Sequence, residues 1–261
     1  MPATDAVLQV TNIDRVRLLT LNRPDRRNAL SDELNSALRQ AFLAADTDPS
    51  VSLVAVTGAG SSFCAGADLK EARDQDQGGG GFHGPLHKQE RSLYEVMIDC
   101  RKPLMAIVNG PSVAGGFELA LACDIRVVAD TAHFAVPEAR RGLGAHFASV
   151  VLPQMVPPGI AMEWLFSART IPVTEAERWG LVNRIVPSEK LMAEAMALAR
   201  EVALSAPLSL QRMKATCIKT RGLPLHSAIR LEAGPDPYSS EDRKEGARAF
   251  LEKRAPVWTG R

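Results

Sequence analysis

Two glutamates, Glu118 and Glu138, stand in segments of small residues and proline that are typical of a catalytic site. Glu118 comes three residues after Gly115, where the end of a strand turns into the start of a helix. This spacing places the carboxylate about one helical turn beyond the first N–H groups of that helix. Glu138 follows Pro137, which fixes the backbone of a loop from which the carboxylate projects. Carboxylates in a largely apolar pocket have raised pKa values and can exchange protons near neutrality.

Two turns of small residues can each present a backbone N–H group to one carbonyl oxygen. At Gly115, the start of a helix leaves N–H groups without acceptors at the positive end of the helix dipole. At Ala67, two further small residues leave the backbone unshielded before a helical stretch begins at Asp68. Preorganised donors of this kind stabilise a developing oxyanion by about 3–4 kcal/mol each. The sequence therefore predicts an acid/base site beside an oxyanion hole.

Each segment also has a purely structural interpretation. Glu118 can act as a favourable charge in the first turn of its helix, and Asp68 can cap the helix that follows it. Glu138 can be a surface carboxylate that pairs with Arg140 and Arg141. No single segment decides between the two interpretations.

Composition limits the classes of function. The 261 residues are 46% hydrophobic, which is enough for a large core in one domain with an appendage. The net charge of +1 and the absence of basic runs give no indication of nucleic-acid binding. We find no signal peptide at Met1 and no apolar run near the roughly 18 residues that cross a bilayer, so we expect no membrane association and a cytoplasmic location.

Cysteine and histidine usage indicates that the protein has no metal site. The cysteines form no Cys-x-x-Cys pair, and we expect reduced thiols rather than disulfides or zinc ligands. The five histidines lack metal-site spacing, and we expect His146 at most to line a pocket. We expect Asp124 to be structural, either paired with Arg126 or bonded to the backbone.

The elements that must position these residues follow an α/β pattern with mostly parallel strands. Ser31 predicts a helix N-cap, with apolar positions at helical spacing as far as Ala45. From 188 to 235 the chain is almost wholly helical, with a last helix at 240–253, which predicts a separate helical layer. The glycine run at 78–81 predicts a loop that could close over a site. Strands are predicted at 16–21, 51–57, 104–108, 125–129 and 181–186.

Six segments in this order resemble the crotonase superfamily, also called the enoyl-CoA hydratase/isomerase family: 21–30, 63–69, 108–124, 137–138, 177–187 and 240–261. The resemblance implies a spiral of ββα units in a core over 1–187. It also implies a helical region over 188–261 that builds a homo-oligomer, a trimer or a dimer of trimers. The substrate implied is an acyl-CoA thioester, with no cofactor besides the coenzyme A that the substrate carries.

The resemblance also assigns roles to individual residues. It implies that the backbone N–H groups of Ala67 and Gly115 form the oxyanion hole. Glu118 would activate a water molecule and Glu138 would protonate Cα, and the presence of both glutamates favours hydration or dehydration. The residues implied to bind the substrate or its coenzyme A are Arg26, Arg27, Ala29, Ala65, Asp68, Leu69, Lys70 and Gly116.

This chain departs from the common pattern of the family. Ala114 replaces a glycine, and Phe117 and the segment 139–147 replace smaller residues that we expect at the acyl end of the site. Parts of the sequence are similar to the carnitinyl-CoA dehydratase subgroup. An enoyl-CoA isomerase, which needs mainly Glu138, and a non-catalytic acyl-CoA-binding protein remain as alternatives.

Overall fold

The computed structural model describes residues 6–77 and 91–261, so the predicted loop at 78–81 lies outside the described residues. The strands in these residues are β1 (Leu8–Ile13), β2 (Val16–Leu21), β3 (Leu53–Gly58), β4 (Leu104–Val108), β5 (Ser112–Val113), β6 (Ile125–Ala129), β7 (His133–Ala135), β8 (Thr170–Pro172) and β9 (Arg184–Val186). The helices are α1 (Asp32–Thr47), α2 (Leu69–Gln77), α3 (Leu93–Asp99), α4 (Gly115–Leu121), α5 (His146–Met155), α6 (Pro158–Ser167), α7 (Val173–Arg178), α8 (Leu191–Ala203), α9 (Pro207–Lys219), α10 (Leu225–Arg230) and α11 (Glu241–Leu251).

The main sheet has the strand order β1-β2-β3-β4-β6-β9. All pairs after the antiparallel β1–β2 pair are parallel, and β3 and β4 are buried along their whole length. The five predicted strands are confirmed, although the fifth is shorter than predicted. The sequence prediction missed β1, an edge strand whose residues are mostly exposed and therefore carry little apolar signal.

A second, three-stranded sheet has the order β5-β7-β8 and was not predicted. Its strands have two or three residues each, which is too short for an alternating pattern to stand out. β5 and β7 are parallel, with Ser112 opposite Phe134 and Val113 opposite Ala135. Parallel pairing brings the carboxyl ends of both strands to the same edge of this sheet.

The predicted cap at Ser31 is confirmed, because its hydroxyl accepts a 3.2 Å hydrogen bond from the N–H group of Leu34. Leu34, Leu38 and Phe42 form the buried face of α1. The residues after Val186 form no further strand within the described part of the chain, as predicted.

The helices of the 188–261 region differ in how they pack. α8 buries Leu191, Ala195 and Ala199 and contacts the main sheet, so this helix contributes to the core. In contrast, α10 and α11 leave large apolar side chains in solvent, with Leu225 72% exposed and Phe250 83% exposed. The assignment of 188–261 to oligomerisation stays a prediction.

The expectations for Asp124 and the cysteines can be compared with the structure directly. Asp124 accepts a 2.7 Å hydrogen bond from the Leu104 N–H group and pairs with Lys214 at 2.8 Å, so it is structural, but its ionic partner is not Arg126. Arg126 instead donates to backbone carbonyl groups, including that of Leu181. All four cysteines are free thiols, and three of them are buried. None of the described helices combines the length and apolar character needed to cross a membrane.

Candidate active site

Three segments of the chain pair side by side in the same direction: β5, β7 and the segment around Cys64. Their carboxyl ends therefore lie at the same edge. The N–H group of Val113 donates to the carbonyl oxygen of Cys64 at 2.9 Å, and the N–H group of Ala114 donates to that of Ala135 at 2.9 Å. Cys64 also forms a parallel bridge with Ser112. The residues that follow these three segments are the two small-residue turns and the turn that carries Glu138.

The two small-residue turns touch one another. Gly66 has a φ of +86°, and a methyl group there would lie 2.6 Å from the Ala114 Cβ atom and 3.0 Å from the Gly115 nitrogen. A side chain at position 66 is therefore excluded both by backbone conformation and by lack of space. The N–H groups of Ala67 and Gly115 have no acceptor within residues 6–77 and 91–261, which leaves two neighbouring donors for a ligand oxygen.

The helix that carries Glu118 begins with a strained residue. Ala114, the N-cap of α4, has φ 55° and ψ −130°, a conformation that a residue with a side chain rarely adopts. Strain of this kind costs about 1–3 kcal/mol and is concentrated at functional sites. The hydrogen bond from Ala114 to Ala135 and the contact with Gly66 hold this conformation, so α4 starts with the Gly115 N–H group unpaired.

The Glu118 carboxylate is buried against α5. Its Oε1 atom accepts a 2.9 Å hydrogen bond from the N–H group of Ala148. Burial raises the pKa of Glu118, and the hydrogen bond from the Ala148 N–H group limits that rise. Glu118 is thus held in one position while its proton affinity is increased.

The Glu138 carboxylate lies in a short 3-10 turn over Pro137–Arg141. Its Oε2 atom is buried and has no hydrogen-bond partner in the described part of the chain. Burial raises the pKa of Glu138, and the charge of Glu118 raises it further, whereas Arg141 lowers it. The Arg140 guanidinium donates to the Ser167 carbonyl group at 2.7 Å, and the ion pairs found in the described residues do not include Glu138. A buried carboxylate oxygen without a donor is suited to bind a water molecule or a substrate proton.

Tyr94 is a member of this site that the sequence did not indicate. Its hydroxyl donates a 2.9 Å hydrogen bond to the carbonyl oxygen of Gly115, and its ring stacks on Phe147 with centroids 4.9 Å apart. The expectation that Phe117 lines the acyl end is wrong: its side chain is fully buried and stacks on Phe134 in the core. A tyrosine within a short helix carries no local motif, so only the tertiary structure places it here.

A charged cleft of about 550 Å³ lies beside the turn at Ala67. It brings together three of the residues implied to bind coenzyme A, namely Arg26, Asp68 and Lys70. The cleft is lined by Arg23, Arg26, Ser31, Glu33, Asp68, Lys70, Glu71 and Asp74.

Arg23, which the sequence analysis missed, is the ionic partner of Asp68. The guanidinium of Arg23 pairs with Asp68 at 2.9 Å, and the other carboxylate oxygen accepts a 3.2 Å hydrogen bond from the Lys70 N–H group. The structural interpretation of Asp68 as a helix cap is therefore confirmed. A contact between Asp68 and a ligand stays a prediction.

The remaining implied ligand residues are spread around the same turn. The Ala65 N–H group donates to the Arg27 carbonyl oxygen at 3.0 Å, and the Arg23 guanidinium donates to the Ala29 carbonyl oxygen at 2.6 Å. Leu69 is 47% exposed at the start of α2. These contacts hold the 27–29 and 65–69 segments next to one another. Contact of these residues with a ligand stays a prediction.

Gly116 and His146 have different surroundings. A methyl group on Gly116 would lie 2.2 Å from the carbonyl oxygen of Cys64, so this glycine allows α4 to approach the neighbouring segment closely. His146 is the first residue of α5 and is exposed. No group of histidine, cysteine and carboxylate side chains in the described residues could hold a metal ion.

Comparison with known proteins gives consistent matches over almost the whole chain. Residues 12–261 match the family model described as enoyl-CoA hydratase/isomerase. A carnitinyl-CoA dehydratase of Salmonella typhi is 40% identical over 267 aligned positions, which cover 97% of this chain and 98% of the relative.

Solved structures show the same similarity. The enoyl-CoA hydratase of Mycobacterium tuberculosis H37Rv superimposes with a TM-score of 0.87 at 33% identity, covering 98% of this chain and 100% of the other. The enoyl-CoA hydratase of Bacillus anthracis gives a TM-score of 0.87 at 28% identity, with 98% and 100% covered. The fold expected from the sequence is thereby confirmed; the similarity does not test the trimerisation region.

Proposed function

The chain belongs to the enoyl-CoA hydratase/isomerase family, and we propose that it adds water reversibly to the double bond of a 2-enoyl-CoA thioester. Its relatives include proteins named as a carnitinyl-CoA dehydratase and as an enoyl-CoA hydratase. The observation that carries the proposal is the pair of carboxylates, Glu118 and Glu138, with raised pKa values on adjacent turns. Glu118 lies in the helix that begins at Gly115, and the N–H groups of Gly115 and Ala67 have no acceptor in the described residues.

The proposed mechanism assigns one role to each group. The thioester oxygen accepts hydrogen bonds from Ala67 and Gly115, which stabilise the enolate-like charge that forms as water attacks Cβ. Glu118 takes a proton from the attacking water, and the oxygen forms a bond to Cβ. Glu138 donates a proton to Cα, and the reverse reaction uses the same groups in opposite order. Since both carboxylates contact one water molecule, their titrations are coupled.

The coenzyme A part of the substrate provides binding energy at the charged cleft. Arg26 and Lys70 are exposed there and can pair with phosphate groups. No other cofactor takes part in the proposed reaction.

Dehydration of a carnitinyl-CoA thioester is a second candidate, favoured by the 40% identity to carnitinyl-CoA dehydratases. The chemistry at Cα and Cβ would be the same in both cases.

We further propose a homotrimer or a dimer of trimers, supported by the apolar side chains that α10 and α11 leave exposed. Free buried thiols support a cytoplasmic location. Such an enzyme would suit fatty-acid degradation by β-oxidation.

The test is an assay of the purified protein with crotonyl-CoA, following loss of the conjugated thioester absorbance. Turnover supports the hydratase. Conversion of a 3-enoyl-CoA to its 2-enoyl isomer without hydration would instead identify an isomerase. Turnover of crotonobetainyl-CoA alone would identify the dehydratase. Binding of every acyl-CoA without turnover would leave only the binding protein.

A further inference from the structure

The N–H group of Ala67 projects from a short bridge between two segments. Leu30 and Ala67 form a parallel bridge. In it the Leu30 N–H group donates to the Gly66 carbonyl oxygen at 2.8 Å, and the Leu30 carbonyl oxygen accepts from the Asp68 N–H group at 3.2 Å. Because the flanking residues provide these bonds, the N–H group of Ala67 itself points away from Leu30. The position of this donor therefore depends on what holds the bridge together.

An ion pair closes this bridge from both sides. One nitrogen of the Arg23 guanidinium donates to Oδ2 of Asp68 at 2.9 Å, and another donates to the carbonyl oxygen of Ala29 at 2.6 Å. The guanidinium thus joins the residue that precedes Leu30 to the residue that follows Ala67. The Arg23 and Asp68 side chains are only 19% and 14% exposed, so water competes little with this pair.

Arg23 is itself fixed by a buried asparagine. The Arg23 N–H group donates to Oδ1 of Asn28 at 2.9 Å. The amide nitrogen of Asn28 donates to the carbonyl oxygens of Ala59 and Ser62 at 2.9 and 2.8 Å. Asn28 is fully buried, so these bonds are shielded from solvent. The loop that carries Arg23 is therefore attached to the segment that follows β3.

We propose that the Arg23–Asp68 ion pair positions the Ala67 N–H group for the carbonyl oxygen of the thioester. Both side chains act through the backbone around Ala67 and do not touch the reacting atoms. A donor of an oxyanion hole must lie within about 3 Å of the oxygen, so a displacement of about 1 Å removes much of its effect. This inference rests on the proposed function, because it takes Ala67 as a donor to the thioester oxygen.

Both residues also line the charged cleft, where direct contact with a coenzyme A phosphate is the alternative role. The pairing argues against that role, because Asp68 neutralises Arg23 and a carboxylate repels phosphate. Burial acts to raise the pKa of Asp68, but hydrogen bonds from Arg23 and from the Glu71 N–H group lower it, so the carboxylate stays charged at neutral pH. Its Oδ1 atom accepts from the Lys70 N–H group at 3.2 Å, so both carboxylate oxygens are bonded within the protein.

The test breaks the pair from either side. Arg23→Met removes the charge and keeps an apolar stem, whereas Asp68→Asn keeps the shape and an acceptor for the backbone. With crotonyl-CoA, we expect each to lower kcat by about tenfold, a part of what loss of a whole donor costs, with a smaller change in KM. The double variant should be no slower than the slower single variant, because the pair acts as one unit.

The matched control is Arg17→Met, which breaks an ion pair at the other end of β2. Arg17 pairs with Asp48 at 2.7 Å, and their side chains are 11% and 29% exposed. This pair resembles the Arg23–Asp68 pair in length and burial, but the bridge at Ala67 does not depend on it. Arg17→Met should therefore keep the kcat and KM of the wild type.

A second measurement does not depend on turnover. Infrared difference spectra of bound butyryl-CoA, unlabelled against 13C-labelled at C1, give the stretching frequency of the thioester carbonyl. This acyl chain has no double bond to hydrate, and hydrogen bonds to the carbonyl oxygen lower the frequency. We expect the band to lie below that of free butyryl-CoA in the wild type and Arg17→Met. In Arg23→Met and Asp68→Asn it should return toward the free value.

The carbonyl band separates the possible outcomes. An unchanged band in site variants that bind butyryl-CoA overturns the inference, even if activity falls. A raised KM with kcat and the band unchanged also overturns it and assigns Arg23 to phosphate binding. If Arg23→Met does not fold, Asp68→Asn decides alone. Absence of hydration by the wild type would reject the proposed function, while the band would still decide whether the pair positions Ala67.

Discussion

The N–H group of Ala148 donates a 2.9 Å hydrogen bond to Oε1 of Glu118, which links the first turn of α5 to the helix that carries the candidate base. This contact holds one carboxylate oxygen and leaves the other for a water molecule or a neighbouring donor. Since the two residues are thirty positions apart, the orientation of Glu118 depends on how α5 packs against α4. The predictions below test this arrangement and the groups around it.

Glu118→Gln should keep the fold and lose activity. The amide oxygen can still accept from Ala148, but it cannot take a proton from water, so we expect kcat to fall by roughly 10²–10⁴-fold. Glu138→Gln should have a similar effect, because an amide cannot deliver a proton to Cα. Steady-state assays with crotonyl-CoA measure both. Glu194→Gln, on the exposed face of α8, is the matched control and should retain full activity. Wild-type rates in either site variant would rule out the proposed two-carboxylate mechanism.

Stability should depend on pH through the same two carboxylates. Burial raises the pKa of Glu118 and of Glu138, so the folded protein holds protons that the unfolded chain has released. The free energy of unfolding should therefore decrease as pH rises from about 4.5, the ordinary glutamate value, through the raised values. Glu118→Gln removes one of these groups and should flatten the decrease. Urea denaturation between pH 4 and 8 measures this decrease. If the free energy of unfolding fell with pH equally in the variant and the wild type, the raised pKa of Glu118 would be contradicted.

Gly66→Ala should damage the oxyanion hole. The added methyl group would meet Ala114 and the Gly115 nitrogen at 3.0 Å or less, and the φ of +86° would itself be strained. Since one donor of such a hole contributes about 10²–10³-fold to kcat, we expect a loss of at least this size. Gly180→Ala is the control, because Gly180 has a φ of +77° but nothing within 4 Å of an added methyl group. Equal activity of the two variants would show that the contact at Gly66 does not matter.

Lys70→Ala should weaken substrate binding without affecting the chemical step. If this ammonium group pairs with a phosphate of coenzyme A, its loss should raise KM about tenfold, with kcat almost unchanged. The effect should diminish as salt is added, because exposed charges are screened. Lys190→Ala changes an exposed lysine outside the cleft and should leave KM unaltered. A Lys70→Ala protein with wild-type KM would place coenzyme A elsewhere.

The exposed apolar residues of the C-terminal region should mediate assembly. Leu225 and Ile229 are each 72% exposed on α10, and replacing both with glutamate should prevent a neighbouring copy from burying them. Sedimentation or light scattering should then report a smaller species than the wild type. Val10→Glu changes an apolar residue that is 54% exposed on β1, and serves as the control. An unchanged oligomer in the α10 variant would move the interface away from this helix.

The amino-acid sequence by itself was sufficient to predict the chemistry that we propose for this protein. Glu118 and Glu138, together with the small residues at Ala67 and Gly115, indicated an acid/base site with backbone donors, because glycine, proline and carboxylates act through local conformation and charge. The longer buried strands and the cap at Ser31 were also predicted, since burial and capping leave periodic or local patterns.

Only the tertiary structure decided how these groups meet. The pairing of Val113 with Ala135 sends two loops to one sheet edge, yet strands of two or three residues have no periodic pattern to detect. Tyr94 and Arg23 joined the site through contacts over long sequence separations, and Phe117 proved to be a core residue. Local sequence carries conformational preference and charge, whereas the approach of distant segments is set by packing of the whole core, which no single motif encodes.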